Sequence, residues 1–395
     1  MHKTILNIFF CICFINASLG QKSIFKTGNA TSKRYYSEIK YKNLNGKIII
    51  PVVIKGESYQ FLFDTGAPNL ISENLWKKLN FEKGKDISVS DANQKKEQMR
   101  LTTLPLITIG GVSFKNTSAL VFKNNDNLVF DCFKLDGIIG SNLLRKSVIQ
   151  IKSKQSKLII TNDYKKLNLN KENASKLTLV GNQSSPYINI KLKGEQTATE
   201  LLLFDTGASG FYDLNKKSYK VMMLKNVVKT ISEGKGTSSI GMFGNANNSI
   251  QYRIQVPELI INSHSFKNVI TLTGDDDNSR IGSDIIKYGN LTLDFKKGKF
   301  YFDPFKRITD LNEKLLGFTP TIQNNKLVVG IVWDKKLKNK LNFGDEILAI
   351  NGVDFSKIDL CGLITEESIF KKADSLNISI KNDKGEINDL ILEKR

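Results

Sequence analysis

The tetrapeptide Asp-Thr-Gly-Ala occurs twice in this chain of 395 residues, at 64–67 and at 205–208. Each copy directly follows an apolar run that ends in Leu-Phe. A single aspartate at the end of a buried strand usually caps its own turn, so one copy alone would have little functional meaning. Two matching copies favour a pair of carboxylates that act together.

The two tetrapeptides are part of a longer internal repeat. Ile-Ile-Gly-Ser at 138–141 corresponds to Arg-Ile-Gly-Ser at 280–283. After each glycine motif come two apolar runs separated by a polar turn, at 148–160 and at 291–303, a pattern typical of paired strands. The repeat therefore predicts two homologous, mainly β lobes in one chain.

Composition and charge limit the other classes of function. With 40% hydrophobic and 25% charged residues, the chain is long enough and apolar enough to form two or three globular cores. The formal net charge is +19, but the lysines are spread through every segment and do not alternate with aromatic residues along one stripe. We therefore expect a solvated basic surface and no nucleic-acid binding.

The N-terminus has the pattern of a secretory signal. Lys3 precedes an apolar stretch at 5–15, and small residues follow it. A stretch of eleven residues is too short to cross a bilayer, which takes about 20 apolar residues. The sequence predicts a signal peptide at 1–20, an N-terminal extension at 21–40 and no transmembrane span in the mature chain. We expect an exported protein, periplasmic, secreted or in the cell envelope.

The exported chain would keep few residues that bind metals or act as nucleophiles. His264 is its single histidine, and Cys132 and Cys361 are its two cysteines. This set forms no zinc site and no Cys-His pair, so we expect no metal and no cofactor. We interpret His264 as a surface residue in a polar turn. Cys132 and Cys361 fall in different predicted domains, so we expect two separate thiols and no disulfide.

Carboxylate chemistry remains, and we interpret Asp64 and Asp205 as the catalytic pair. Two carboxylates held close together cannot both ionise cheaply, so they share one proton. One can then take a proton from a water molecule while the other protonates the substrate, which suits amide hydrolysis. The residues predicted to support the pair are the rest of the two turns: Thr65, Gly66, Ala67, Thr206, Gly207 and Ala208.

Together, the doubled Asp-Thr-Gly-Ala and the two glycine motifs resemble the aspartic proteases, in particular the exported bacterial retropepsin-like group with two lobes in one chain. The resemblance covers about residues 41 to 304. It implies a mainly β fold with two homologous acid-protease β-barrel lobes, at 41–162 and 163–305. It also implies an aspartic-type endopeptidase whose partner is a peptide or protein substrate.

In that family a glycine-containing hairpin, the flap, closes over the bound peptide. The resemblance implies a flap at 233–244 with Gly236, Thr237 and Ser238 as candidate contacts, and a first-lobe counterpart around 98–103. The alternative interpretation is two ordinary glycine-rich hairpins.

Two departures from the family pattern are informative. Pepsin-like enzymes usually carry Ser or Thr where this chain has Ala67 and Ala208. A missing hydroxyl donor raises the pKa of a carboxylate, so we expect activity at mildly acidic to near-neutral pH. Arg280 stands where the family usually has an apolar residue. It either brings a cation near the turn of the second lobe or marks a tolerant position.

The last segment, 306–395, lies outside the repeat. Its Gly-Asp turn at 344–345 leads into an apolar strand that ends in Asn-Gly, and a helical segment and two more strands follow. This order resembles a PDZ domain, which is a small α+β domain. The resemblance implies binding of a C-terminal peptide or a partner by strand addition, with Leu316, Gly317 and Phe318 near its terminal carboxylate.

Two functions remain open at this stage. The first is the endopeptidase, favoured because both aspartates, both threonines and both glycines of the turns are present. The second is a catalytically silent protein of the cell envelope that keeps the protease fold and binds peptides through its PDZ domain. In either case we expect a monomer.

Overall fold

The computed structural model describes residues 24–82, 84–123, 128–355, 359–366 and 369–395. The predicted signal peptide at 1–20 lies outside the described residues. None of the helices in the described part is long and apolar enough to cross a bilayer.

The described chain is mostly β, as the sequence predicts. In chain order the first strands are β1 (Asn29–Ala30), β2 (Tyr36–Lys40), β3 (Lys42–Leu44), β4 (Lys47–Ile54), β5 (Glu57–Asp64), β6 (Leu70–Ser72), β7 (Asp86–Ser90), β8 (Lys96–Ile109), β9 (Val112–Phe122), β10 (Gly137–Gly140), β11 (Val148–Lys152), β12 (Lys157–Thr161), β13 (Ala174–Val180), β14 (Ser185–Lys193), β15 (Thr197–Phe204) and β16 (Tyr212–Asn215). The later strands are β17 (Lys229–Gly236), β18 (Ile240–Gly241), β19 (Gly244–Asn245), β20 (Ser249–Ile261), β21 (His264–Gly274), β22 (Arg280–Ile281), β23 (Gly289–Asp294), β24 (Lys299–Pro304), β25 (Ile308–Asp310), β26 (Phe318–Gln323), β27 (Lys326–Val332), β28 (Glu346–Ile350), β29 (Val353–Asp354), β30 (Ser375–Lys381) and β31 (Ile387–Glu393).

The helices are short. The α-helices are α1 (Glu73–Lys78), α2 (Leu128–Cys132), α3 (Ser141–Leu144), α4 (Lys216–Leu224), α5 (Leu360–Thr365) and α6 (Ile369–Lys372). Single turns of 3₁₀ helix lie at Ser153–Gln155, Tyr164–Lys166, Lys171–Asn173, Ser283–Lys287 and Lys335–Leu337.

The first lobe is a sheet in the order β1-β9-β6-β10-β5-β4-β8-β7, with β3 paired to β4. Its strands are rich in β-branched and aromatic residues, which suit a pleated, half-buried surface. The β4–β5 hairpin turns at Lys55 and Gly56, both with positive φ, as a tight two-residue hairpin turn requires. This hairpin delivers Asp64 at the end of β5.

A second sheet joins the lobes. Its strands pair antiparallel in the order β2-β12-β11-β23-β24-β13. The two strand pairs predicted after the glycine motifs are its central four strands, and Gln150 of β11 donates to Thr292 of β23 at 3.0 Å. The predicted N-terminal extension is therefore partly a structural element, because its residues 36–40 form β2.

The second lobe repeats the arrangement with β14 to β22. A continuous cluster of buried apolar side chains runs from the first lobe through the joining sheet into the second.

The interpretation of His264 as a surface residue is wrong. Asn262 and Ser263 form the turn between β20 and β21, so His264 is already a strand residue, and it is only 3% exposed. Its ring packs edge-on against Phe266, and its Nε2 hydrogen-bonds Thr309 at 2.9 Å. Burial lowers its pKa. We find no chemical role for it beyond packing.

The C-terminal segment has its own core, which includes Phe318, Val329 and Ile378. Strand β26 pairs with β27, and β28, β30 and β31 continue the antiparallel pairing. The ring of Phe370 in α6 packs edge-on against Phe318 at 5.8 Å. The segment is a small α+β unit, hereafter the C-terminal module.

The C-terminal module contacts the second lobe through strand pairing and one arginine. Gly236 of β17 pairs with Ile331 of β27. The guanidinium of Arg253 donates to the carbonyl of Leu316 at 3.0 Å and lies 4.8 Å from the ring centre of Trp333. Burial lowers the pKa of Arg253 to about 10.

On its other side the C-terminal module is bonded to the first lobe, and the expectation of two separate thiols is wrong. Cys132 of α2 and Cys361 of α5 form a disulfide. The two helices pack together, and Asn45 donates to the carbonyl of Ile364 at 2.8 Å. Residues of different domains can still meet where the domains dock. Their docking brings the two sulfur atoms together across a separation of 229 residues.

Replacing both cysteines by serine is expected to lower the free energy of unfolding by about 2–4 kcal/mol, because the disulfide closes a long loop in the unfolded chain. Thermal unfolding of the parent and of the Cys132→Ser/Cys361→Ser variant measures this loss. Peptide mapping without reductant should recover a cross-linked peptide from the parent. Two free thiols in the parent, or equal melting temperatures, would contradict the assignment.

Candidate active site

The two aspartates emerge at equivalent places in the two lobes. Asp64 is the last residue of β5, which runs parallel to β10 with Asp64 opposite Gly140. In the second lobe β15 runs parallel to β22 in the same way, and the amide of Asp205 donates to the carbonyl of Ile281 at 2.9 Å. The sequence repeat is therefore also a structural repeat at this point.

The glycine motifs pass directly against the turns. The amide of Ser141 donates to the carbonyl of Ala67 at 3.0 Å, and Ser283 bonds Ala208 in the same way at 2.8 Å. A Cβ at Gly140 would lie 2.3 Å from the carbonyl oxygen of Ala67, far inside contact distance. Only glycine allows the strand to run so close to the turn.

The two turns are locked to each other by threonine hydroxyls. The hydroxyl of Thr65 donates to the carbonyl of Phe204 at 2.6 Å and accepts from the amide of Thr206 at 3.1 Å. Thr206 makes the matching pair of bonds, to the carbonyl of Phe63 and from the amide of Thr65. Both side chains are fully buried, so these four bonds have no competition from water.

These four hydrogen bonds bring the two carboxyl groups together. The two carboxyls lie close enough for the negative charge of Asp205 to act on Asp64. A Cβ at Gly66 would lie 2.5 Å from the carboxyl carbon of Asp205, and one at Gly207 would lie 2.1 Å from an oxygen of Asp64. Each turn thus needs its glycine because the opposite carboxyl occupies that space.

The backbone supports both carboxylates in the same manner. Oδ1 of Asp64 accepts from the amides of Gly66 and Ala67, at 2.8 and 3.1 Å. Oδ1 of Asp205 accepts from Gly207 and Ala208, at 3.0 and 3.1 Å. All six residues predicted to support the pair therefore contact it or join its two turns.

Burial raises the pKa of Asp64 to about 7, with a second contribution from the negative charge of Asp205. The amide of Gly66 and the cation of Lys47 act in the opposite direction. Asp64 is therefore protonated at mildly acidic pH. This direction agrees with the pH range expected from the sequence, although the main cause is burial and not the missing hydroxyls of Ala67 and Ala208.

Two basic residues also face the pair. Arg280 donates from Nη1 to Oδ2 of Asp205 at 3.1 Å, which decides between the two interpretations of this position. The ammonium of Lys47, at the start of β4, donates to the carbonyl of Gly207. Sequence reasoning missed Lys47, and in a chain with 58 lysines and arginines no local signal distinguishes it.

Each lobe contributes a hairpin, and the two hairpins meet. In the first lobe β7 and β8 form the hairpin predicted around 98–103, with its tip at 91–95. In the second lobe the tip is the β18–β19 turn. The amide of Phe243 donates to Asp91 at 3.0 Å, and Asn93 donates to the carbonyl of Gly244 at 3.0 Å.

The predicted flap residues Gly236 and Thr237 do not form this tip. The amide of Thr237 donates to the carbonyl of Gly330 at 3.2 Å, so the strand end is held by the C-terminal module. Ser238 follows it and is half-buried. The tip lies at 240–245, and Asn245 donates to the carbonyl of Ile322 in the module at 2.7 Å.

Leu316, Gly317 and Phe318 form the entry to β26. The side chains of Leu316 and Phe318 belong to the core of the C-terminal module. The carbonyl of Gly317 accepts from the amides of Trp333 and Asp334, at 2.8 and 3.0 Å. These bonds fix the backbone of the segment just before the strand.

Among the described residues, no group of three or more His, Cys, Asp or Glu side chains is arranged to hold a metal ion.

Comparison with known proteins gives one informative match. The family model described as aspartyl protease matches residues 50–143, which include Asp64 and the glycine motif of the first lobe. The match supports a protease-type function for the chain. It ends before Asp205. A search of curated proteins found no match.

Two solved structures are similar to parts of the chain. Conglutin gamma, a basic 7S globulin from lupine seeds, is 11% identical over 69% of this chain and 95% of its own, with a TM-score of 0.42. A retropepsin-like aspartic protease from Rickettsia conorii is 22% identical over 33% of this chain and 95% of its own, with a TM-score of 0.25. Both similarities are too weak to support an argument.

Replacing Thr65 by valine is expected to lower the free energy of unfolding by about 1–3 kcal/mol, because a buried amide and a buried carbonyl lose their partner. Chemical denaturation measures the change. Thr199→Val, at an exposed position of β15, is the matched control and should change stability little. Equal effects of the two substitutions would show that the contact between the turns does not stabilise the fold.

Proposed function

We propose that the chain is an aspartic-type endopeptidase in which Asp64 and Asp205 hydrolyse peptide bonds with an activated water molecule. The observation that carries the proposal is the close approach of the two carboxyl groups, each packed on the glycine of the opposite turn. The aspartyl protease match to residues 50–143 supports the same class of reaction.

The chemistry needs one carboxylate and one carboxylic acid. The carboxylate takes a proton from water, the water oxygen attacks the amide carbonyl carbon, and the acid protonates the carbonyl oxygen. The resulting tetrahedral diol then collapses. The proton taken from water passes to the amide nitrogen, the C–N bond breaks, and a diol hydroxyl returns a proton to the other carboxylate. No covalent intermediate forms.

Each part of the site has a place in this proposal. The threonine bonds hold the two turns so that the distance between carboxyls does not change during turnover. The hairpins at 91–95 and 240–245 are the proposed flaps, and a peptide would bind between them and the dyad. Separation of the two tips is then required for substrate to enter.

We further propose that the C-terminal module binds peptides as a PDZ domain does, by adding a strand beside β26 with the peptide carboxylate near Leu316 to Phe318. The strand order of the module and the packing of α6 on Phe318 support this role. Binding of peptides with free and with amidated C-termini to the full chain tests it. Equal binding of both would argue against carboxylate recognition.

We propose that the protein is exported to an oxidising compartment, the periplasm, cell envelope or exterior. The disulfide between Cys132 and Cys361 supports this proposal, because disulfides persist in such compartments and are rare in the cytosol. Fractionation of cells that express the full chain tests it, and a protein found only in the cytosol with reduced cysteines would overturn it.

Asp64→Asn and Asp205→Asn should each lower the rate of peptide cleavage by about 10²–10⁴-fold, because each removes one proton-transfer group. A peptide library and intact-mass detection measure cleavage. Asp303→Asn, at an exposed position, is the matched control and should leave cleavage unchanged. A folded parent that cleaves nothing between pH 4 and 8 would favour the catalytically silent binding protein.

The pH profile should have its alkaline limb near pH 7. Hydrolysis needs Asp64 protonated, and its pKa is raised to about 7, so activity is lost as pH rises through that value. Steady-state rates in buffers of constant ionic strength measure the limb. An optimum in strong acid would contradict the raised pKa.

A further inference from the structure

The two halves of the dyad differ in one feature, although their backbones match. Each carboxylate accepts two amide bonds on Oδ1. The second oxygen of Asp205 also accepts from Arg280. In the repeat, the position of Arg280 corresponds to Ile138, a buried apolar residue. One position of the repeat therefore makes the symmetric site asymmetric.

The fold holds Arg280 against Asp205. Arg280 opens the short strand β22, which lies between β15 and β16, with Asp213 directly opposite it. A second nitrogen of its guanidinium bonds Asp276. Its side chain is only 13% exposed, so the contact with Asp205 is not screened by water as a surface pair would be. Arginine remains charged throughout the working pH range.

The other titratable groups around the dyad are Lys47 from β4, Asp213 from β16, Asp276 from the loop before β22 and Tyr187 from β14. Burial lowers the pKa of Lys47, although the nearby carboxylates counteract part of this effect. Burial raises the pKa of Asp213 to about 6. Burial also raises the pKa of Tyr187, so this phenol stays neutral.

Among these groups, Arg280 touches one carboxyl of the dyad and not the other. A cation at hydrogen-bond distance stabilises the ionised form of a carboxyl group. The proton shared by the dyad is thereby driven towards the carboxyl that lacks this contact, which is Asp64.

We propose that Arg280 is a positioning residue that divides the roles of the dyad, keeping Asp205 ionised as the base and leaving the shared proton on Asp64 as the acid. This proposal rests on the proposed peptidase function. In the first step Asp205 accepts the proton of the attacking water, and Asp64 gives its proton to the carbonyl oxygen. In the second step Asp205 gives its proton to the leaving nitrogen, and Asp64 is reprotonated by the diol.

Asp276 competes with Asp205 for the same guanidinium. Its carboxylate is held in place by the amide of Asn278, which donates to its other oxygen at 2.9 Å. Neutralising Asp276 should therefore leave more of the positive charge of Arg280 for Asp205. The competition predicts effects of opposite sign for substitutions at the two positions.

The test is the pH dependence of kcat/KM on one cleaved peptide. Arg280→Ile copies the residue of the first lobe and should move the acid limb to higher pH by about one unit or more, because the cation that contacts the dyad is then gone. Below the limb, one unit lowers kcat/KM about tenfold. Arg280→Lys keeps the positive charge, so its acid limb should lie close to the pH found for the parent. Asp276→Asn should move the acid limb to lower pH.

The control is Arg145→Lys, at an arginine whose guanidinium donates to the backbone carbonyls of Asn142 and Gly28. Its acid limb should match that of the parent. Should Arg280→Ile fail to fold, Asp276→Asn decides the question, since it keeps the arginine and has the opposite predicted sign. If the acid limb of the folded Arg280→Ile variant, or that of Asp276→Asn, lies at the same pH as in the parent, the proposed role of Arg280 is wrong. A parent that cleaves no peptide overturns the peptidase function itself.

Discussion

The contact between the two Asp-Thr-Gly turns determines most of the functional geometry of this chain. Thr65 and Thr206 make four buried hydrogen bonds between the turns, two with each other and two to the carbonyls of Phe204 and Phe63. Separating the turns would leave several buried amides and carbonyls without a hydrogen-bond partner. This would cost free energy, so the turns stay together. The same contact forces the two carboxyls together. Burial raises the pKa of Asp64, and the nearby charge of Asp205 raises it further.

The two lobes have the same arrangement of strands, but they differ in the contacts made by Arg280 and β17. In the second lobe Arg280 contacts the aspartate, and β17 of that lobe pairs with the C-terminal module. The module is in turn bonded to the first lobe by the disulfide between Cys132 and Cys361. It thus contacts both lobes, and its Ile322 carbonyl accepts from Asn245 at the tip of the second hairpin.

Much of the site could be predicted from sequence because it is repeated and local. Asp64 and Asp205 follow matching strands, and the glycine motifs recur at nearly the same interval. The rest depends on packing over long distances. The disulfide requires the docking of α5 on α2, and the contact of Arg280 depends on strand register at β22. Neither contact is indicated by a pattern in the neighbouring sequence.

The most direct measurement of the central claim is a ¹³C NMR titration of the Asp64 carboxyl. Since burial and the charge of Asp205 both raise its pKa, Asp64 should titrate near pH 7 in the parent and at a clearly lower pH in Asp205→Asn. Titration near the ordinary value of about 4 in the parent, or the same midpoint in both proteins, would contradict two carboxyls that share one proton.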